Sequence, residues 1–304
     1  MKILVTGGKG VVGSALVKEL RKRGFDTWAL DAFHSHDPKY VKCDISEFRQ
    51  LQNVLKRNNF DFIYHLAAEF GRFNGEHFYE KMWKSNVIGT KNMITLQEDL
   101  GFKMVFSSSS EVYGDYRELM TEDVPTKIPI RQLNDYAISK WVNEQQIMNS
   151  QDRNNTKTVR LRLFNSYGPG EYYSPYRSAI TIFVYSALHN LKYTVFSKNV
   201  RSWTYIDDMI NAIANVIKNF KPGEVYNIAG DRNETMREIS DIILKIVGKD
   251  DSIVEYKEKE DHNTFIKIAD NKKAKRDLSY KTAVPLEEGL RRTVEWQRKI
   301  YLNK

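Results

Sequence analysis

The 304-residue chain is 41% hydrophobic with 12% aromatics, enough apolar mass for one large domain or two packed ones and too much for an intrinsically disordered chain. Its 47 Lys and Arg against 39 Asp and Glu give a net charge of +8, but the charge is dispersed, dense only in KELRKR (18–23) and NKKAKR (271–276). That pattern predicts solvated helix faces rather than a nucleic-acid or lipid surface. No apolar run approaches the roughly 18 residues of a membrane helix. MKILVTGG has too few aliphatics for a secretory signal, so a cytoplasmic protein is expected. The one cysteine, Cys43, cannot form an internal disulfide and reads as a small buried apolar residue.

The N-terminal half alternates β-rich runs with helical patterns. A strand is predicted over Lys2 to Thr6, a helix from about Gly13 to Arg23, and a strand from Phe25 to Leu30. A short run Tyr40 to Lys42, a helix near Glu47 to Asn58 and a strand Phe62 to His65 follow. Next come a long helix near Glu80 to Leu100, a strand Lys103 to Ser107, a helix around Asp135 to Asn149 and a strand Thr158 to Phe164. This rhythm predicts an α/β fold whose doubly wound parallel, Rossmann-like sheet binds ligand beyond the carboxyl ends of its strands.

From Asn165 the rhythm changes, and Tyr167 to Arg177 carries glycine, two prolines and four tyrosines without helical periodicity. A helix near Asp207 to Asn219 and a strand Val225 to Ala229 return toward the sheet, Thr235 to Glu238 reads as a capping box, and Pro285 opens a last amphipathic helix. The expected organisation is a dinucleotide-binding domain over 1–165 plus about 204–230. A smaller, discontinuous α+β substrate domain takes about 166–203 and 231–304.

Gly7, Gly10 and Gly13 in TGGKGVVGS follow the first strand and open the first helix. Glycines there permit a tight turn and bring backbone N–H groups close to a pyrophosphate. Asp31 ends the second strand, where a carboxylate accepts adenosine ribose hydroxyls and repels a 2'-phosphate, so NAD is expected rather than NADP. Asp44 and Ile45 are placed to meet the adenine edge, or Asp44 caps the next helix. Tyr136 and Lys140 share a helix face, and an ammonium beside a phenol lowers its pKa from about 10. A lysine and an oxidised nicotinamide together could make Tyr136 a base for an alcohol proton.

The combination of Gly7, Gly10 and Gly13, Ser109 before Val112-Tyr113-Gly114, and Tyr136 with Lys140 resembles the extended short-chain dehydrogenase/reductases, particularly nucleotide-sugar epimerases, dehydratases and decarboxylases. His65-Leu-Ala-Ala68, Asn86 to Thr90, Asn165 to Pro169, and Arg201 followed by Tyr205 to Asp208 extend the resemblance over nearly the whole chain. It implies a cofactor site at Gly7, Gly10, Val11, Val12, Gly13, Asp31, Asp44, Ile45, Leu66, Ala67, Ala68, Ser107, Tyr136 and Lys140. It implies that Ser109 helps Tyr136 handle the substrate proton, that Lys140 also holds the nicotinamide ribose, and that Asn165 and Arg201 contact the substrate diphosphate.

Ser109-Ser110-Glu111 is the discriminating stretch. Related 4,6-dehydratases show Thr-Asp-Glu there, simple 4-epimerases small or hydroxyl residues at the last two positions, and UDP-glucuronate decarboxylases Ser/Thr-Ser-Glu. Glu111 is either a proton shuttle for a 4-keto sugar or a surface residue capping a turn. Glu69 and Arg72, in a segment that otherwise reads as a surface loop, are candidates to read the sugar, and His65 reads as packing beside the cofactor. Six scattered histidines without close acidic partners predict no metal. The expected protein is an NAD-dependent homodimer acting on a nucleotide-diphosphate sugar through C4 oxidation, with 4-epimerisation ranked ahead of decarboxylation and dehydration. An inactive dinucleotide sensor is the alternative from another class.

Overall fold

The computed structural model describes residues 1–260 and 263–302. Seven strands form one sheet: Lys2–Thr6, Asp26–Asp31, Tyr40–Lys42, Phe62–His65, Lys103–Ser109, Thr158–Leu163 and Val225–Ile228. Numbered in that order they lie 3-2-1-4-5-6-7 across the sheet. The first strand pairs in parallel with the second (Lys2 to Asp26, Thr6 to Leu30) and with the fourth (Ile3 to Phe62, Thr6 to His65). The chain therefore leaves the carboxyl ends of strands 1 and 4 in opposite directions, which opens a crevice between their loops.

Burial explains why these short runs are strands. Ile3, Leu4, Val5, Ile63, Met104 and Val105 are fully buried, as continuous apolar runs must be in a sheet covered by helices on both faces. One layer joins Leu4, Leu30, Ile63 and Met104 to Leu51 and Leu55 of helix Phe48–Asn58 and to Met93, Ile94 and Leu96 of helix Gly89–Leu100. Cys43 packs in the same layer, 2% exposed, and burial lifts its thiol pKa to about 11. It is an inert core residue.

The fifth strand runs to Ser109, two residues past its expected end, and the long helix expected over residues 80–100 is interrupted. Tyr79–Trp83 is followed by a π-helical turn, Lys84–Ile88, and then by Gly89–Leu100. Residues 72–77, expected as loop, form a short helix.

The chain divides into two compact units: Met1–Val112, Asn134–Arg162 and Ile210–Tyr226 in the first, and Tyr113–Leu133, Leu163–Met209 and the chain from Asn227 in the second. The second is α+β. Strands Asn233–Thr235, Val200–Ser202, Ile266–Ala269 and Leu119–Met120 make its four-stranded sheet. Helices Ala179–His189, Met236–Val247 and Leu286–Tyr301 bury apolar faces that include Ile180 and Val184, Ile239 and Ile243, and Leu290 and Val294. The capping box is formed: Glu238 N–H donates to Thr235 Oγ1 at 3.1 Å, and Thr235 N–H donates to Glu238 Oε2 at 2.7 Å. Among the described residues no helix is long and apolar enough to cross a membrane.

Candidate active site

The glycine turn is fixed by backbone geometry. Gly7 has φ +70°, and a Cβ there would sit 2.8 Å from the Ala67 nitrogen; a Cβ on Gly13 would drive into the Gly7 carbonyl oxygen. Gly10 N–H donates to Gly7 O at 3.0 Å and closes the turn. Helix Val11–Lys22 then begins with no side-chain cap and no acidic residue in its first turn, and Val11 and Val12 are half-buried beside it. These residues fit a pyrophosphate, which needs close backbone approach and an unopposed helix N-terminus. Gly13→Ala is expected to cost about 1–3 kcal/mol of stability from overpacking and to abolish measurable NAD binding by calorimetric titration. Wild-type affinity in that variant would remove the role given to the turn.

Asp31 closes the second strand, and its Oδ2 accepts Lys9 N–H at 2.9 Å, which ties this carboxylate to the glycine turn. Asp44 instead spends Oδ1 on Ser46 N–H at 2.9 Å and Ser46 Oγ at 2.7 Å. These bonds form a turn ahead of the next helix, whose N-cap is Glu47 without a side-chain bond, so Asp44 is not the helix cap that the sequence also allowed. Ile45 is 5% exposed and lies in the core layer, so its side chain is turned into the sheet packing.

The opposite wall, Leu66 to Glu69, is held by buried polar groups. Thr6 Oγ1 accepts N–H from Leu66 and Ala67, each at 3.2 Å, so its own proton goes to His65 Nδ1 at 2.8 Å. His65 Nε2 then carries the ring proton and donates to Thr90 Oγ1 at 3.1 Å. Burial, reinforced by Lys140, pushes the His65 pKa down to about 3. It is a neutral spacer and no proton-transfer group. Asn86, also fully buried, accepts Glu69 N–H at 2.8 Å and donates to Glu69 O at 2.9 Å and Ser139 Oγ at 3.0 Å. Leu66, Ala67 and Ala68 are half-buried and line this wall.

The candidate reacting groups come from the end of the fifth strand and the start of helix Asp135–Asn154. Asn134 caps that helix by accepting Ala137 N–H at 2.9 Å, which sets Tyr136 in the first turn, where the helix dipole favours an anion. Its phenol is hydrogen-bonded to Ser109. Lys140 follows one turn later with its Nζ 5.9 Å from the Tyr136 ring centre and 5.1 Å from that of Phe106. Lys140 Nζ donates to Ser107 O at 2.8 Å. Ser110 is 4% exposed, whereas Glu111 is half-buried and its N–H donates to Ser109 Oγ at 3.2 Å.

Burial acts on the pair in opposite senses. Desolvation raises Tyr136 to about 12, against the hydrogen bond from Ser109 and with the charge of Glu111, and lowers Lys140 to about 7. The protein alone therefore keeps the phenol protonated. The shift toward neutral pH expected from the lysine has to draw on further positive charge, of the kind a nicotinamide cation would supply.

Glu69 and Arg72 are engaged close to one another. Lys81 Nζ lies 2.8 Å from Glu69 Oε1, Asn74 donates to Glu69 Oε2 at 3.0 Å, and Arg72 lies 4.1 Å over the Phe73 ring and 3.8 Å from Glu76. Asn165 and Arg201 belong to the second unit. Arg201, 4% exposed, donates through Nη1 to Val200 O at 2.8 Å and Phe265 O at 2.9 Å. Asn165 Oδ1 is buried without a hydrogen-bond partner. Among the described residues no group of three His, Cys, Asp or Glu side chains is arranged to hold a metal ion. Sequence reasoning overlooked Thr6, Ser108, Glu144, Arg160 and Arg162. The last two carried a readable signal: arginines at alternate positions of an otherwise buried strand need a countercharge.

Residues 3–229 match the family described as NAD dependent epimerase/dehydratase. The chain is 28% identical over 322 residues to the UDP-N-acetyl-alpha-D-glucosaminuronate decarboxylase of Bacillus cytotoxicus, covering 98% of each. It is also 28% identical over 307 residues to a putative UDP-glucose 4-epimerase of Methanocaldococcus jannaschii, covering 97% of this chain and 98% of the other. The solved UDP-glucose 4-epimerase of Thermotoga maritima with UDP-glucose superposes with a TM-score of 0.91 at 27% identity and 99% coverage of both chains. With the family match over three-quarters of its length, and with a glycine turn, a carboxylate at the end of the second strand and a Ser-Tyr-Lys arrangement, the chain belongs to the NAD-dependent epimerase/dehydratase family of extended short-chain dehydrogenase/reductases.

Proposed function

We propose that the protein is a nucleotide-sugar 4-epimerase. The observation that carries this reading is the Tyr136 phenol held against Ser109 with the Lys140 amine beside it, all that inversion at C4 requires of the chain. The glycine turn and Asp31 would hold NAD, which would supply a hydride acceptor and donor for C4. Tyr136 removes the C4 hydroxyl proton and later restores it, Ser109 donates to the phenolate oxygen, and protonated Lys140 opposes the developing negative charge. In this reading Asp31 takes the adenosine ribose, Asn165 and Arg201 take the diphosphate, and Glu69 with Arg72 meets the sugar. The unpartnered acceptor of Asn165 supports its part in that assignment. The protein is read as a homodimer through the helices around residues 79–100 and 135–154, which present exposed Tyr79, Ile88 and Ile138.

A second reading, decarboxylation of a nucleotide-linked uronic acid, is favoured by one observation. The charge of Glu111 acts on Tyr136 to disfavour loss of the phenolic proton, and its backbone N–H is bonded to Ser109 Oγ. The two readings separate in D2O with a panel of UDP-, dTDP-, CDP- and GDP-sugars. Epimerisation is expected to give the C4-inverted sugar with no solvent deuterium on carbon, and Glu111→Gln should keep most of the rate. Release of carbon dioxide with deuterium at C5, lost together with activity in Glu111→Gln, would replace the first reading with the second.

A further inference from the structure

Beneath the reacting pair lies a buried ionic cluster that the mechanism so far does not use. Glu144 stands one turn beyond Lys140 on the same helix and is fully buried. Its Oε1 accepts Ser108 Oγ–H at 2.5 Å and Arg162 Nε–H at 3.0 Å. Oε2 accepts from Arg162 Nη2 at 2.9 Å and from Arg160 Nη1 at 3.2 Å. Arg160 is 7% exposed and Arg162 1%. One carboxylate thus faces two guanidinium groups in a dry interior, where charges are retained only if paired. Both guanidinium groups face Glu144 from the neighbouring strand, Glu111 acts on Tyr136, and His65 is neutral. The helices packed on the other side carry Arg72, Glu76 and Lys81, with Arg72 facing Glu76 and Lys81 facing Glu69.

The Tyr136–Lys140 pair with one proton removed has two arrangements of equal composition: phenolate with ammonium, or phenol with amine. Only the first can accept the substrate proton. We propose that Glu144 is a positioning residue for this reaction, its buried carboxylate keeping the shared proton on Lys140 while its bond to Ser108 fixes the strand end that carries Ser107 and Ser109. The inference rests on the proposed use of Tyr136. The geometry explains both halves. Lys140 and Glu144 are neighbours at i and i+4, where opposite charges attract, and Ser108 lies between the two residues that contact Lys140 and Tyr136. In the same sense, the Glu144 charge opposes the desolvation of the Lys140 ammonium.

The test is the pH profile of kcat/KM for Glu144→Gln, Glu144→Asp and the double variant Glu144→Gln/Arg160→Gln. The double variant keeps the cluster's net charge, in case the single one leaves too much unpaired cation to fold. Without the carboxylate the ammonium loses its proton more readily, but to the unproductive arrangement. Glu144→Gln is therefore expected to move the acid limb down by about one pH unit while lowering the plateau about 10- to 100-fold, and Glu144→Asp should restore both. The double variant should move the limb in the same direction. In the NAD-free protein, the Cε resonance of 13C-labelled Lys140 should titrate at lower pH in the same two variants. A plateau that falls with the limb and the resonance unmoved would reduce Glu144 to a structural ion pair and overturn the proposal. Failure of the parent reading is distinct: it appears as activity retained in Tyr136→Phe, whatever Glu144 does.

Discussion

Tyr136→Phe is expected to lower kcat by about 10²- to 10⁴-fold, the range for loss of a positioned general base, while NAD affinity by titration stays within a few-fold of wild type. The substitution removes one oxygen at the start of helix Asp135–Asn154 and leaves the ring, the Asn134 cap and the Lys140 contact to Ser107 in place. Nothing in the glycine turn or at Asp31 touches that oxygen. A parallel collapse of NAD binding would mean that the phenol holds the fold of the site rather than moving a proton. Near-normal turnover would remove Tyr136 from the mechanism.

Lys140→Met should abolish turnover and, at low pH, make the protein more stable. Lys140 is 3% exposed, and burial lowers its pKa from 10.5 to about 7. Between those values the unfolded chain binds a proton that the folded chain has released, so wild-type stability rises with pH through that window. Below pH 7 both states are protonated and the buried charge exerts its full penalty, at most about 5 kcal/mol. Methionine has no charge to bury. The variant's advantage in melting midpoint is therefore expected at pH 6, to shrink as pH rises through 7, and to vanish or reverse by pH 10, where the lost bond to Ser107 remains. An advantage independent of pH would show that Lys140 is not the titrating group.

The first unit was legible because its signals are local and repeated. Val5, Ile63 and Met104 sit in apolar runs that only a covered sheet accommodates, and Gly7, Gly10 and Gly13 follow the first strand where backbone must pass close to a ligand. In the second unit the capping box at Thr235 and the helix after Pro285 were legible, but its sheets were not, since several strands, such as Leu119–Met120 and Thr204–Tyr205, have two residues and no measurable period. The short helix Arg72–His77 escaped for another reason: Gly75 within it weakens its propensity, and its packing against the Asp135–Asn154 helix is not visible in the sequence. In the site, residues near the chemistry could be placed from order and spacing. Glu144 could not, because its partners Arg160 and Arg162 come from a strand and only folding brings them together.

The π-helical turn at Lys84–Ile88 gives this site a bulge in place of a regular helical turn. Such a turn holds one residue more than an α-helical turn. Asn86 lies in that widened turn and holds Glu69, and Thr90, just past it, reaches His65. Because the wide turn absorbs the extra residue, the α-helical turns on either side keep a common phase. Deleting one residue between Trp83 and Gly89 would restore an unbroken α-helix without turning its ends against each other, and would take away the bulge from which Asn86 grips the Glu69 backbone. The extra residue is thus a bracket let into the helix, anchoring the neighbouring wall while leaving the helix's direction alone.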